Sequence, residues 1–155
     1  EPLIQKEFSR IMSLKDGKKK MSKSEISDLS RINLTDDKDS IINKIKKAKT
    51  DASPLPSNIK DLEQRPEAKN LLRIFSSLNN SSLEQTIKIF EGKNFSEFKE
   101  KLSQVLSEKL EPISKEITKL MNDKDFLDKI LSDGCKKAND IASDKVKKMH
   151  EIIGF

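Results

Sequence analysis

The most regular feature of the sequence is a series of apolar residues that recur every three or four positions over its last third. This spacing puts them on one face of an α-helix and predicts two long amphipathic helices. The apolar positions are Phe95, Phe98, Leu102, Val105, Leu106, Leu110, Ile113, Ile117, Leu120 and Met121 in the first helix, and Phe126, Leu127, Ile130, Leu131, Ala138, Ile141, Ala142, Val146, Met149 and Ile152 in the second. The period passes Pro112 without a change of phase, so we expect a kink or a restart there rather than the end of the helix.

Three shorter helices are predicted upstream from the same period and from capping residues. Their apolar positions are Ile41, Ile42, Ile45 and Ala48, then Leu71, Leu72, Phe75 and Leu78, then Leu83, Ile87 and Phe90. Thr35 can cap the first of them, Pro66 suits the first turn of the second, and Ser81 with Glu84 predicts a capping box for the third. Asn94 with Glu97 opens the long helix that follows in the same way. The fold class is therefore mainly α, with a small helical bundle whose core holds the phenylalanines, Met121 and Met149.

The region before these helices carries a different signal. Residues 10–14 (Arg-Ile-Met-Ser-Leu) are short and rich in apolar side chains, which predicts a buried strand. One strand cannot form a sheet, so we expect its partners to come from chain outside this sequence. Asp16-Gly17 then predicts a tight turn, because glycine accepts the positive φ that many such turns need.

A cluster of lysines follows this turn. Lys18, Lys19, Lys20 and Lys23 lie within six positions, together with Ser22 and Ser24. A loop rich in ammonium and hydroxyl donors suits a multiply charged phosphate group. The lysines that end the first short helix have two open interpretations, which are compensation of the helix dipole and contact with tRNA or phosphate. These lysines are Lys44, Lys46, Lys47 and Lys49.

Composition narrows the class of partner. The formal net charge of +5 and a pI near 9.2 favour anionic partners such as tRNA or nucleotides. Cys135 is alone, which excludes an intrachain disulfide and a cysteine-based metal site, and its helical setting predicts a buried apolar role. His150 has no second ligand at metal-binding spacing and is expected on the surface, without a catalytic role. The absence of a signal peptide or a long apolar span predicts a soluble cytoplasmic protein that does not bind membranes.

Lys20-Met21-Ser22-Lys23-Ser24 is letter for letter the KMSKS loop of class I aminoacyl-tRNA synthetases. The flanking sequence resembles the bacterial tryptophanyl-tRNA synthetases over essentially the whole chain. The resembling segments are 9–17, 30–37, 45–51, 70–72, 90–93 and 149–155. The chain begins at Glu1 without an initiator methionine, and the resemblance implies a C-terminal fragment of such an enzyme.

The resemblance also implies a domain organisation. Residues 1–51 would be the C-terminal edge of a Rossmann-type catalytic domain, with one short strand and the KMSKS loop. Residues 52–65, which contain Pro54 and Pro56, would be a linker. Residues 66–155 would form a helical domain that binds the tRNA anticodon, with a last helix that can dock back on the catalytic domain.

The implied activity is that of a tryptophan–tRNA ligase, which activates tryptophan with ATP and transfers it to tRNA(Trp). Lys23 is the first candidate for the triphosphate contact and Lys20 the second. Ile11, Met21, Ser22 and Ser24 complete the implied ATP site, with Mg²⁺ bound through the phosphates and no metal ligand from the protein. A homodimer is expected of the full-length enzyme. The family loop often continues with Asp-Pro, where this chain has Glu25-Ile26.

The fragment by itself is expected to be inactive, because the second nucleotide motif and the amino-acid pocket would lie in the other half. The main alternative is a non-catalytic helical module that binds RNA. The orphan strand and the missing methionine count against it. A tyrosyl-tRNA synthetase is a weaker alternative, since those enzymes usually carry a further RNA-binding domain after the helices.

Overall fold

The computed structural model describes residues 9–154 and is mainly helical, as predicted. A 3₁₀ turn at Asp28–Ser30 precedes the α-helices. These are α1 (Lys38–Lys46), α2 (Ile59–Leu62), α3 (Pro66–Leu78), α4 (Leu83–Phe90), α5 (Phe95–Asn122) and α6 (Lys124–Ile153). No helix in the described range is both long and apolar enough to cross a membrane.

The chain divides into two compact units, of which the first ends at Ser114 and the second begins at Lys115. The apolar core lies in the first unit, and α1, α3, α4 and the first half of α5 contribute most of it. Three phenylalanine rings pack against one another within it, with the ring centroid of Phe90 lying 4.9 Å from that of Phe75 and 4.8 Å from that of Phe98. The edge-to-face geometry of both contacts is the arrangement that aromatic pairs prefer.

Helix starts in this unit follow the predicted chemistry, with shifts of one or two residues. Asp37, rather than Thr35, caps α1 by accepting the backbone N–H of Ser40. The capping box of α4 is Ser82 with Gln85, rather than Ser81 with Glu84. Ser81 is engaged elsewhere, because its hydroxyl lies 3.0 Å from that of Thr86. The cap of α5 is confirmed, since Asn94 accepts the N–H of Glu97.

The expected linker, residues 52–65, is packed into the first unit. Leu55 and Leu62 are buried in the core, and the single turn of α2 lies within this stretch. Arg65 holds the segment through both carboxylate oxygens of Asp51, at 2.6 and 2.9 Å, and through the carbonyl of Pro54. The division into catalytic, linker and anticodon-binding parts stays a prediction, but this stretch is not an unattached spacer.

Helix α5 continues through Pro112, so the expectation that the proline would not end the helix is confirmed. The second unit contains the end of α5 and all of α6, and none of the residues of α6 is buried. The predicted core positions Met121 and Met149 are therefore wrong, as both are more than 60% exposed. The buried role predicted for Cys135 is also wrong, because this residue is exposed. Helical period identifies the apolar side of a helix, but only tertiary packing decides whether that side is covered.

Candidate active site around the lysine loop

The predicted strand at 10–14 pairs with the lysine loop through residues 11–13, and strand partners from outside this sequence stay a prediction. Met12 and Lys20 form an antiparallel β-bridge. Ser13 donates its N–H to the carbonyl of Lys19 at 2.8 Å, and Met21 donates to the carbonyl of Ile11 at 3.0 Å. Within residues 9–154, this pairing is a single β-bridge and does not extend into a longer strand. The result is a short hairpin, residues 11–21, that presents the KMSKS residues at its second arm.

The turn of the hairpin uses its glycine differently from the prediction. Asp16 begins the turn, because its carboxylate accepts the N–H of Lys18 and its carbonyl accepts that of Lys19. Gly17 does not adopt a positive φ. It is needed for close approach, since a Cβ built on it would lie 2.5 Å from the backbone N of Glu67 and 2.7 Å from the carbonyl O of Pro66. The lysine loop therefore lies directly on the first turn of α3.

Three further contacts hold the hairpin. Asn70 of α3 accepts the N–H of Met12 at 2.9 Å and donates to its carbonyl at 2.8 Å. The buried Leu14 donates its N–H to the carbonyl of Ser30 and accepts the N–H of Lys49. The base of the hairpin is thus fixed on two sides, while its lysines stay at the surface.

The hairpin and the chain after the 3₁₀ turn line an open cavity of about 520 Å³. Five of the six predicted ATP-binding residues line it, and these are Ile11, Lys20, Met21, Ser22 and Lys23. The sixth, Ser24, lies beside it: its N–H donates to the hydroxyl of Ser22, and the two hydroxyl groups are 2.8 Å apart. The opposite wall comes from residues 31–35.

The two predicted catalytic lysines are available to an anion. Lys20 and Lys23 are exposed, and neither forms an ion pair within residues 9–154. By contrast, the Nζ atom of Lys19 lies 4.0 Å from the carboxylate of Asp16, and neither Lys18 nor Lys19 lines the cavity. Lys18 and Lys19 are therefore less suited than Lys20 and Lys23 to contact a phosphate in the cavity. Two unpaired cations on one rim produce a local positive potential without compensation.

A network under the second wall was not predicted from the sequence. Arg31 donates to the carbonyl of Glu25 at 2.8 Å and to Asn33, and it pairs with Asp28 at 3.0 Å. Arg31 therefore connects the cavity wall to Glu25, which follows the KMSKS residues and lies where the family often has Asp-Pro. Its place in the network depends on chain folding between residues 25 and 44, which no residue spacing indicates.

Lys44 is the buried centre of this network. Its Nζ lies 2.6 Å from a carboxylate oxygen of Asp28 and 2.6 Å from one of Asp36. Burial lowers the pKa of the ammonium, but hydrogen bonds to the two carboxylates outweigh this effect and raise the pKa above its usual 10.5. The hydrogen bond from Lys44 in turn holds the pKa of Asp28 below its usual 3.8. Lys44 is therefore a structural cation that stabilises the wall, and is not available to tRNA or phosphate.

Lys49 is likewise engaged at the other side of the loop. It pairs with Glu67 at 2.9 Å, which lowers the pKa of that carboxyl and raises the pKa of the lysine. Glu67 also accepts a hydrogen bond from the backbone of Gly17. Lys49, which follows α1, therefore supports the lysine loop, a role that neither interpretation of the lysines at the end of this helix includes.

Comparison with known proteins identifies the family. Residues 1–132 match the model of the family described as tRNA synthetases class I (W and Y). The chain belongs to this family. The resemblance deduced from the KMSKS residues and their flanks is confirmed by a match that covers most of the chain.

The similar curated proteins are tryptophan–tRNA ligases. The chain is 49% identical over all 155 residues to that of Mesorhizobium japonicum, and 52% identical to that of Rickettsia conorii. It spans 44% and 46% of the length of these two relatives.

A solved structure of tryptophanyl-tRNA synthetase from Campylobacter jejuni, in complex with ADP and tryptophan, has the same fold. It aligns over 97% of this chain and 45% of its own, with a TM-score of 0.74 and 24% identity. At 24% identity, this structural match shows a shared fold alone.

Proposed function

We propose that the protein containing this chain is a tryptophan–tRNA ligase, and that the chain supplies the KMSKS side of its adenylation site. The observation that carries the proposal is the clustering of Ile11, Lys20, Met21, Ser22 and Lys23 around one cavity, with both lysines exposed and unpaired in the described chain. Membership of the class I synthetase family and the names of the similar proteins support it. The Campylobacter jejuni structure was solved with ADP and tryptophan bound, which supports the same two ligand classes here.

The chemistry asks for positioned cations rather than for covalent catalysis. The tryptophan carboxylate attacks the α-phosphorus of ATP, the bond to the β-phosphate oxygen breaks, and pyrophosphate leaves with the bonding electrons. Negative charge grows on the leaving group, so cations placed near it stabilise the transition state more than the ground state. Lys23 would make the main contact with the triphosphate and Lys20 the second. Ser22 can donate to a phosphate oxygen, and Ser24 orients it.

The adenosine end would lie against the hairpin. Ile11 and Met21 are half-buried and provide an apolar surface for a base. Their facing backbone groups bond to each other, since Met21 N–H donates to the Ile11 carbonyl. Within the described range, this leaves the Ile11 N–H and the Met21 carbonyl for a nucleotide. These two groups would make the backbone contact with adenine.

Mg²⁺ would enter with the phosphates of ATP. Within residues 9–154, no group of three or more His, Cys, Asp or Glu side chains is arranged to hold a metal ion. The cavity has lysines on its rim, which suit phosphate oxygens and not a cation. The ion would add positive charge between the phosphates, and the protein residues would act on the remaining oxygens.

The other expectations from the resemblance are also proposals. The helical part would contact tRNA(Trp), with exposed lysines providing phosphate contacts that weaken with salt. The tryptophan pocket would lie outside this chain, and the full-length enzyme would be a cytoplasmic homodimer.

The test is tryptophan-dependent ATP–pyrophosphate exchange. A full-length enzyme that contains this chain should catalyse it, and Lys23→Ala should lower the exchange rate with an unchanged thermal midpoint. Lys18→Ala is the matched control, because Lys18 is on the same hairpin, is exposed and does not line the cavity. The 155-residue chain alone should not catalyse exchange. Exchange with tyrosine but not tryptophan would reject the substrate, and equal rates for both lysine variants would reject the role of Lys23.

A further inference from the structure

Asn70 makes a contact that the proposed chemistry does not explain. It lies in the first half of α3, is 4% exposed, and does not line the cavity. Both polar groups of its side chain are used on one residue, since Oδ1 accepts the N–H of Met12 and Nδ2 donates to the Met12 carbonyl. An amide presents an acceptor and a donor side by side, so it can satisfy both backbone groups of one residue in extended chain.

Met12 is the residue on which the geometry of the hairpin depends. It pairs with Lys20 in the β-bridge. Its chain neighbour Ile11 lines the cavity and accepts the N–H of Met21. A displacement of Met12 therefore moves the apolar surface proposed for adenine and one of the two proposed phosphate-binding lysines together.

The same helix contacts the hairpin a second time, one turn earlier. Gly17 lies against the backbone of Pro66 and Glu67, closer than any side chain would permit. Helix α3 thus touches both ends of the hairpin, at its turn through residues 66 and 67 and at its base through Asn70. These two contacts, one turn apart on α3, fix the position and the orientation of the hairpin relative to this helix.

We propose that Asn70 is a positioning residue of the adenylation site, which holds the KMSKS hairpin in the orientation that the leaving pyrophosphate needs. The inference rests on the proposed function. It assigns to α3, in the predicted anticodon-binding part of the chain, a direct role in the geometry of the nucleotide site. Asn70 does not touch the nucleotide and acts through Met12.

The expected effect follows from the sensitivity of displacement chemistry to distance. Without the amide, the N–H and carbonyl of Met12 lose their partners in a partly buried setting, and the hairpin can move to reach water. A displacement of about 1 Å at a reacting group can lower a rate by about 10²-fold. We therefore expect Asn70→Ala to lower kcat for adenylate formation by about 10- to 100-fold.

The experiment compares Asn70, inside α3, with Asn79, the residue that caps the end of this helix, in the full-length enzyme. Asn79 also donates a side-chain hydrogen bond, to the carbonyl of Phe75 at 2.9 Å, but it lies at the other end of α3. Asn70→Ala and Asn79→Ala are assayed by ATP–pyrophosphate exchange, with separate kcat and KM for ATP and tryptophan. Thermal midpoints are recorded for both, together with amide hydrogen exchange of the peptide that covers residues 11–21.

The expected result is a fall in kcat for Asn70→Ala alone, with an unchanged KM for tryptophan and faster exchange in the hairpin peptide. An Asn70→Ala enzyme with the kcat of the wild type would overturn the proposal. So would a variant that fails to fold, or whose midpoint and tryptophan KM deteriorate together, because either result would indicate a general structural role. Failure of the wild-type enzyme to activate tryptophan would instead reject the proposed function.

Discussion

The contact between Gly17 and helix α3 permits a quantitative prediction for Gly17→Ala. An added Cβ would lie 2.5 Å from the backbone N of Glu67 and from the backbone C of Pro66, whereas ordinary contact begins at 3.4 Å. The loop and the helix must therefore separate by about 0.9 Å. The opposing atoms belong to the backbone in the first turn of a helix, so no side chain can rotate away to relieve the clash.

This displacement should affect both stability and rate. Overpacking of a well-packed site costs about 1–3 kcal/mol. A shift of about 1 Å in the KMSKS residues should lower the adenylation rate by about 10- to 100-fold. The cause differs from that at a glycine retained for its φ, because Gly17 does not occupy the left-handed region and the cost comes from the clash with α3.

Gly134→Ala is the matched control. Gly134 lies inside α6, and a Cβ built there meets nothing within 4 Å. Since alanine favours a helix interior over glycine by about 1 kcal/mol, this variant should be equally stable or more stable. Stability is measured by urea unfolding, and rate by ATP–pyrophosphate exchange in the full-length enzyme. A Gly17→Ala protein with unchanged unfolding and unchanged exchange would show that the loop does not lie on α3 as described.

Three further predictions concern the first unit. Lys44→Met should destabilise it by about 2–3 kcal/mol in urea unfolding, because Asp36 is left in a nearly buried position without its cation; a change below 0.5 kcal/mol would contradict the network. Stability should decrease as the pH is lowered, because folding lowers the pKa of Asp28. The contribution of Asp28 to stability is complete above its unfolded pKa of 3.8 and is lost as the pH falls through its folded pKa. This loss should be smaller in Lys44→Met, and an identical pH profile would remove Lys44 as its cause. Phe98→Ala, at a fully buried position, should cost about 3–5 kcal/mol, while Phe126→Ala, at a 44% exposed position, should cost much less; equal costs would contradict the assigned core.

The sequence by itself predicted five of the six α-helices of the described chain and the family to which the KMSKS residues point. Local signals were sufficient here, because helical period, proline at a first turn and a capping asparagine act over a few residues. The KMSKS residues were recognisable for the same reason, since their order along the chain is the signal. Cap positions were displaced by one or two residues where adjacent polar side chains compete, as between Ser81 and Ser82.

Tertiary structure decided what each local feature is used for. Gly17 is required by the approach of a helix 49 positions later in the chain, and Asn70 binds a residue 58 positions earlier. Lys44 looked like a surface lysine and is a buried cation, because two carboxylates from separate turns converge on it. Cys135 looked buried and is exposed, since the period of a helix does not specify what covers its apolar side. Side-chain type and spacing are local properties, whereas burial and partnership depend on which distant segments fold together.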